Sequence, residues 1–315
     1  MAARTTSNPP SDPPADAADA DPAGSRVAVR KTYKLFVGGG FPRSESGRSY
    51  RVTDHHGRFT ANAAMASRKD ARDAVLAARK AFPGWAGATA YNRGQVLYRV
   101  AEMMEGRRDQ FVAEVAAAEG LDGTGAGRVV DAAIDRWVWY AGWSDKIAQV
   151  AGAANPVAGP FFNLSVPEPT GVVAVIAPRA SSLLGLVSVV APVIVSGNTG
   201  VVLASQLRPL PAVILAEVLA TSDLPGGVLN LLTGLTAEVA PWLASHEDVD
   251  GLDLAGASED WGALERAAAS TLTRVLRPAG TGAEAVEPDW TATPDGPRRI
   301  LAFCEIKTVW HPTGR

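Results

Sequence analysis

Between residues 167 and 256 the chain alternates short β-branched runs with helical patterns, and this alternation constrains the fold more than any other feature. The run PEPTGVVAVIAP opens the stretch. SGNTGVVLASQ, GGVLNLLTG and VDGLDLAGA follow at intervals long enough for a helix. Strands separated by helices build βαβ units, and near-continuous apolar strands belong to a parallel sheet covered on both faces. The expected fold class is α/β, a doubly wound parallel sheet with any ligand outside the carboxyl ends of its strands. Strands are expected over 171–177, 199–203, 228–232 and 251–254, with a fifth over 273–276.

The region before the sheet reads as three strands and three helices. Residues 33–37 run into Gly38-Gly39-Gly40, a strand entering a turn. Residues 48–53 and 59–63 look like further strands, joined by His55-His56-Gly57. Adjacent turn histidines without other ligand-type residues at metal spacing read as exposed side chains. Ser67 and Asp70 have capping-box spacing, and Ala71, Val75, Ala78 and Phe82 follow at helical intervals. Pro83-Gly84 is expected to end that helix. A second helix is expected from about Asn92 to Ala118, and a third carries Val130, Ile134, Trp137 and Ala141. Trp137, Trp139 and Trp143 read as helix packing rather than a ligand box.

Outside this body, residues 1–26 are rich in Pro, Ala, Asp and Ser and are expected to form a disordered tail. They lack the apolar core of a secretory signal. Residues 27–278 form the main domain, 279–299 a Gly- and Pro-rich linker, and 300–315 a closing strand. A net charge of −3 gives no basis for nucleic acid or an anionic membrane as partner. A single cysteine excludes an internal disulfide framework, which suits a cytoplasmic protein. The apolar run at 183–196 is too short to span a bilayer.

The order of LFVGGGF, SGRSYRVTDHHG, KAFPGWAG, RGQVLYRVAEMMEGRRDQF and AAAEG, then the four strand segments and finally KTVW, resembles the aldehyde dehydrogenase superfamily. The resemblance implies the family's Rossmann-like NAD-binding domain with a small β oligomerisation element. It marks residues 157–166 as part of an interface hairpin. It also implies that the linker stands where the family's catalytic domain lies.

The chemistry of that family needs a thiolate, an amide donor for the oxyanion, a general base and a dinucleotide pocket. By the resemblance, Ala180 stands where the oxyanion-binding Asn belongs. Leu203 replaces the ribose-binding lysine and Gln206 the glutamate that follows it. Leu254-Ala255-Gly256-Ala257 replaces Phe-Thr-Gly-Ser at the phosphate turn, and Trp261 falls near a family glycine. Cys304 sits in the closing strand and is expected to be structural, so no catalytic residue is assigned. Vestigial cofactor positions are Pro178, Arg179, Ser205, Gln206, Gly234, Gly256 and Ala257. NAD or NADP is expected to bind weakly or not at all.

These substitutions imply a catalytically inactive pseudoenzyme or a partner subunit of a full-length aldehyde dehydrogenase. The alternatives are an NAD(P)-dependent oxidoreductase acting on aldehydes, completed by another chain or using a changed site where Arg179, Ser181, Ser182, Ser205 and Gln206 gather polar groups near the strand ends, and a plain nucleotide-binding or sensor domain. A homo-oligomer or hetero-oligomer is expected. Apolar residues on both parities of 300–310 suggest a strand covered on both faces by another chain, or one folded back on its own sheet.

Overall fold

The computed structural model describes residues 31–257, 261–279, 287–294 and 296–314, so the expected tail lies outside the described residues. Three short strands come first: β1 (Thr32–Tyr33), β2 (Ser49–Thr53) and β3 (Phe59–Ala64), in the order β1-β3-β2. Helices α1 (Arg68–Ala86), α2 (Ala90–Glu105), α3 (Arg108–Glu119), α4 (Gly123–Ala141) and α5 (Ile147–Ala151) follow, then β4 (Ala153–Asn155) and β5 (Phe161–Pro169). The alternating region begins with β6 (Val172–Ile176), α6 (Leu184–Val195), β7 (Thr199–Leu203) and α7 (Leu210–Leu219). It continues with β8 (Leu229–Leu232), α8 (Thr236–Ala244), β9 (Gly251–Asp253), α9 (Trp261–Ala269) and β10 (Arg274–Leu276). A short helix α10 (Arg298–Leu301) and β11 (Cys304–Pro312) come last.

Strands β6 to β10 form a wholly parallel sheet in the order β10-β9-β6-β7-β8. The winding reverses beside β6, which opens a crevice at the carboxyl ends of β6 and β9. Strand alternation assigns the layers. Val173, Val175 and Val202 enter a cluster shared with α2, α4, α6 and α7. Val172, Ala174, Ile176, Val201 and Leu203 enter a second cluster with α1, α8 and α9. Strands β6 and β7 thus bury both parities, which is why their sequences show no alternating polar face.

Helix α1 starts at the expected capping box. Ser67 Oγ accepts from the Asp70 N–H, and Asp70 accepts from the Ser67 N–H at 2.8 Å. It does not stop at Pro83, as the sequence suggested, but continues to Ala86. The buried Trp85 explains the extra turn, since its indole donates to the Ile194 carbonyl at 2.8 Å. The expected helix from about Asn92 to Ala118 is two helices, with Gly106 capping α2. The strand read over 33–37 shortens to β1 and an isolated bridge between Phe36 and Leu231.

Strands β11, β5 and β4 form a separate antiparallel sheet in that order. β11 pairs with β5 of its own chain along its whole length, from Cys304 opposite Pro169 to Pro312 opposite Phe161. The continuous strand expected from 300 is therefore corrected. Residues 298–301 are helical, and Ile300 and Phe303 are buried in the main core. Phe303 packs on Gly251, where a Cβ would lie 2.7 Å from the ring. The remaining apolar residues Ile306, Val309 and Trp310 are exposed. The apolar residues of this segment thus do two different jobs in succession, a core anchor at Ile300 and Phe303 and an open sheet from Ile306 to Trp310.

Candidate functional site

The crevice at the strand ends is a cavity of about 360 Å³ bounded by the ends of β6, β7 and β9 and by helices α8 and α9. Its walls include Ala177, Ala204, Ala240, Pro241 and Leu264, and Arg179, Ser205 and Gln206 bring polar groups to it. Sequence reasoning placed Arg179, Ser205, Gln206, Gly256 and Ala257 together, and all five line it. Pro178 and Gly234 do not. Pro178 packs against Gly185, and Gly234 against the backbone of Ala66.

Several of these residues are engaged within the protein. Gln206 Oε1 accepts from the Thr236 N–H at 3.1 Å and so caps the start of α8. Ser205 Oγ donates to the Arg179 carbonyl at 2.9 Å. Leu203 is fully buried in the core cluster of α1, α8 and α9. Gly256 has a structural reason to be glycine, because a Cβ there would overlap the Ala177 carbonyl oxygen. Its N–H donates to the Ile176 carbonyl at 2.8 Å, which stitches the turn after β9 to the end of β6. Trp261 lines the cavity at the start of α9, with the Arg277 guanidinium 5.7 Å from its ring centre.

The loop between β6 and α6 holds the feature that the sequence did not reveal. Successive backbone N–H groups of Arg179, Ala180 and Ser181 all point at the Glu287 carboxylate, with Ala180 at 2.8 Å and Ser181 at 3.4 Å. Successive amides converging on one point form an anion-binding nest. A second carboxylate closes the loop: Glu119 accepts from the Ser182 N–H at 2.6 Å and its hydroxyl at 2.7 Å. Ala180 presents a methyl group and no side-chain donor. Nothing in the aperiodic segment 279–299 singles out Glu287, since the contact spans more than a hundred residues.

Cys304 lies at the start of β11, away from the cavity lining, and is 6% exposed. Its thiol donates to the Ile300 carbonyl at 3.4 Å. Burial pushes its pKa up to about 11, so the sulfur stays protonated at neutral pH. A protonated, shielded thiol is a poor nucleophile. His55 sits against Gly120 with Nδ1 3.2 Å from the Ala117 carbonyl, a packing role. Trp137 is fully buried in the helical core, and Trp139 and Trp143 pack with their rings 5.6 Å apart.

A parallel sheet with this winding and a crevice at its strand ends defines a doubly wound α/β domain. The family model for "Aldehyde dehydrogenase family" matches residues 41–286, and the chain belongs to that family. Among curated relatives, cytosolic 10-formyltetrahydrofolate dehydrogenase of Mus musculus is 33% identical over 249 residues, covering 74% of this chain and 26% of the relative. Mitochondrial benzaldehyde dehydrogenase of Antirrhinum majus is 33% identical over 234 residues, covering 72% of this chain and 42% of the relative. Among solved structures, a single-residue mutant of Bacillus cereus aldehyde dehydrogenase superposes with a TM-score of 0.73 at 25% identity, covering 78% of this chain and 50% of that one. A betaine aldehyde dehydrogenase variant from Staphylococcus aureus, solved in complex with NAD+, shares the fold at a TM-score of 0.73 and 24% identity, covering 77% of this chain and 49% of that one. The chain spans half or less of the length of each of these relatives.

Proposed function

We propose that this chain is a non-catalytic member of the aldehyde dehydrogenase family that serves as a subunit, assembling with a second copy or with a full-length family member in the cytoplasm. One observation carries the reading: the amides of Arg179, Ala180 and Ser181 are occupied by Glu287, and Ala180 has no donor to offer an oxyanion. Loss of one oxyanion donor costs about 10²–10³ in rate. The protonated, buried Cys304 supports the same reading. The antiparallel sheet supports the partner role. The outer edge of β11 pairs with no strand among the described residues, and Phe161, Phe162, Ile306 and Trp310 are exposed on the same sheet. An apolar open edge invites strand addition by another chain.

A second reading, a nucleotide-binding sensor, is favoured by the cavity itself. Its apolar walls on α8 and α9 suit a flat ring, and Arg179 supplies a cation with no ion pair among the described residues. Against it stand Leu203 in the core, Gln206 committed to α8, and Trp261 in the cavity wall. Calorimetric titration with NAD+ and with NADP+ separates the two readings. The subunit reading expects no saturable heat below millimolar concentration, and saturable micromolar binding of either dinucleotide overturns it. An oxidoreductase completed by another chain requires that binding too, and in addition a nucleophile from the partner.

A further inference from the structure

Strand β11 turns alternate residues to its two sides, and the ends of its ladder with β5 show which residues turn which way. The ladder runs without a break in register. Just beyond it, the Thr170 N–H donates to the Phe303 carbonyl at 3.1 Å, and the Thr313 N–H to the Pro160 carbonyl at 2.8 Å. In an antiparallel ladder each residue directs both backbone groups to one side, and successive residues alternate. Odd-numbered residues of β11 therefore bond to β5, and even-numbered residues turn outward. Cys304 fits this parity, since its carbonyl accepts from the Arg274 guanidinium at 2.9 Å. Pro312, at the other end, has no N–H to offer. The open stretch between them is Ile306, Thr308 and Trp310, whose outward backbone groups pair with no strand among the described residues.

An added antiparallel strand must set its own outward residues opposite these. A second β11 can do so, pairing even residues with even ones about a twofold axis. Centring on Thr308 overlaps the whole strand. Thr308 then faces Thr308, and Ile306 faces Trp310 on either side of the axis. Threonine pairs and aromatic–β-branched pairs are among the favourable cross-strand combinations. On the other face Lys307, held by Glu168 at 3.1 Å, lies opposite Val309. Glu305, 3.6 Å from Arg274, lies opposite His311. No like charges meet along the paired strands. Centring on Lys307 instead brings two lysines together, and centring on Val309 sets Lys307 against His311. Centring on Ile306 or Trp310 shortens the overlap.

The neighbouring strand extends the same pattern. Ser165 Oγ lies 2.8 Å from Thr308 Oγ1, so the pairing continues a row of hydroxyls across the axis. Phe161 meets Trp310 edge-on with ring centres 5.8 Å apart, which backs the Ile306–Trp310 pair with a second aromatic ring. Ile306 and Trp310 are 56% and 57% exposed in the single chain, and each gains an apolar neighbour in the pair.

We infer that β11 pairs with β11 of a second copy about a twofold axis through Thr308, joining two three-stranded sheets into one of six strands. The inference rests on the subunit reading and commits it to a second copy of this chain at this edge. Such a contact uses the same patch on both copies and closes at two subunits.

The test uses the full chain. Light scattering reads its mass, and the variants Lys307→Cys, Thr308→Cys and Val309→Cys, each in the Cys304→Ser background, read the register. All three positions are exposed. Opposite residues of a hydrogen-bonded antiparallel pair have Cα atoms about 5.5 Å apart, within disulfide reach. The expected result is a dimer in which Thr308→Cys cross-links under mild oxidation at least tenfold faster than either neighbour alone, while Lys307→Cys mixed with Val309→Cys gives the mixed product. Thr308→Pro removes an outward N–H and leaves the ladder with β5 intact; it should give a monomer with the circular dichroism of the parent. A dimer that cross-links equally at all three positions, or fastest at 307 or 309, overturns the inference and leaves the subunit reading standing. A dimer that survives Thr308→Pro does the same. A monomer at every concentration overturns the pairing together with the second-copy form of the subunit reading.

Discussion

The backbone N–H of Ala180 donates to Oε1 of Glu287 at 2.8 Å, joining the end of the first parallel strand to a segment more than a hundred residues later. The flanking amides of Arg179 and Ser181 converge on the same carboxylate. Three donors on one charged acceptor hold the loop in a shape that α6 then continues. Glu287→Ala should cost about 1–2 kcal/mol in urea unfolding, and Glu287→Gln less, because an amide oxygen still accepts. Amide exchange at 179–181 should speed up in step. Unchanged exchange at those three amides in Glu287→Ala removes the carboxylate from its assigned role.

Cys304 gives the protein an alkaline sensitivity of defined sign. The thiol titrates near 9.0 when unfolded and near 11 when buried. Between those values the unfolded chain releases a proton that the folded chain retains. The thiol's contribution is therefore full below about pH 9, is lost as pH rises to 11, and changes no further beyond. The loss is at most about 3 kcal/mol. Tyr140, raised to about 12 by burial, extends the decline upward. Chemical denaturation at stepped pH should show a shallower slope between 9 and 11 for Cys304→Ala than for the parent. Parallel slopes contradict the assignment.

The end of the chain separates anchor from interface. Ile300 and Phe303 are fully buried, whereas Ile306 and Trp310 are exposed. Truncation after Arg299 removes both anchors and should abolish folding, since losing large core side chains costs about 3–5 kcal/mol each. The double substitution Ile306→Lys with Trp310→Lys leaves the anchors in place and should reduce the particle mass measured by light scattering. A particle of unchanged mass puts the interface elsewhere.

The parallel sheet was legible because each strand is a short apolar run bounded by turn residues. The capping box at Ser67 was legible because both partners lie within one helical turn. The break at Gly106 was not, since apolar residues keep helical spacing on either side of it. Gly256 read as a phosphate-binding glycine by resemblance, while its contact with the Ala177 carbonyl is a packing demand visible only in three dimensions. The role of Glu287 depends on partners brought close by the fold, and no local pattern announces such pairs. Ile300 and Phe303 were read as strand residues because a core anchor and a strand have the same composition over so few positions.

The central claim is the absence of aldehyde oxidation by this chain. The direct measurement follows NADH and NADPH absorbance with the purified protein, the corresponding oxidised cofactor and a panel of aliphatic and aromatic aldehydes. The expected result is no formation above the protein-free rate, with the parent chain and Cys304→Ser indistinguishable. Sustained reduced-cofactor formation that scales with protein concentration and disappears in Cys304→Ser contradicts it.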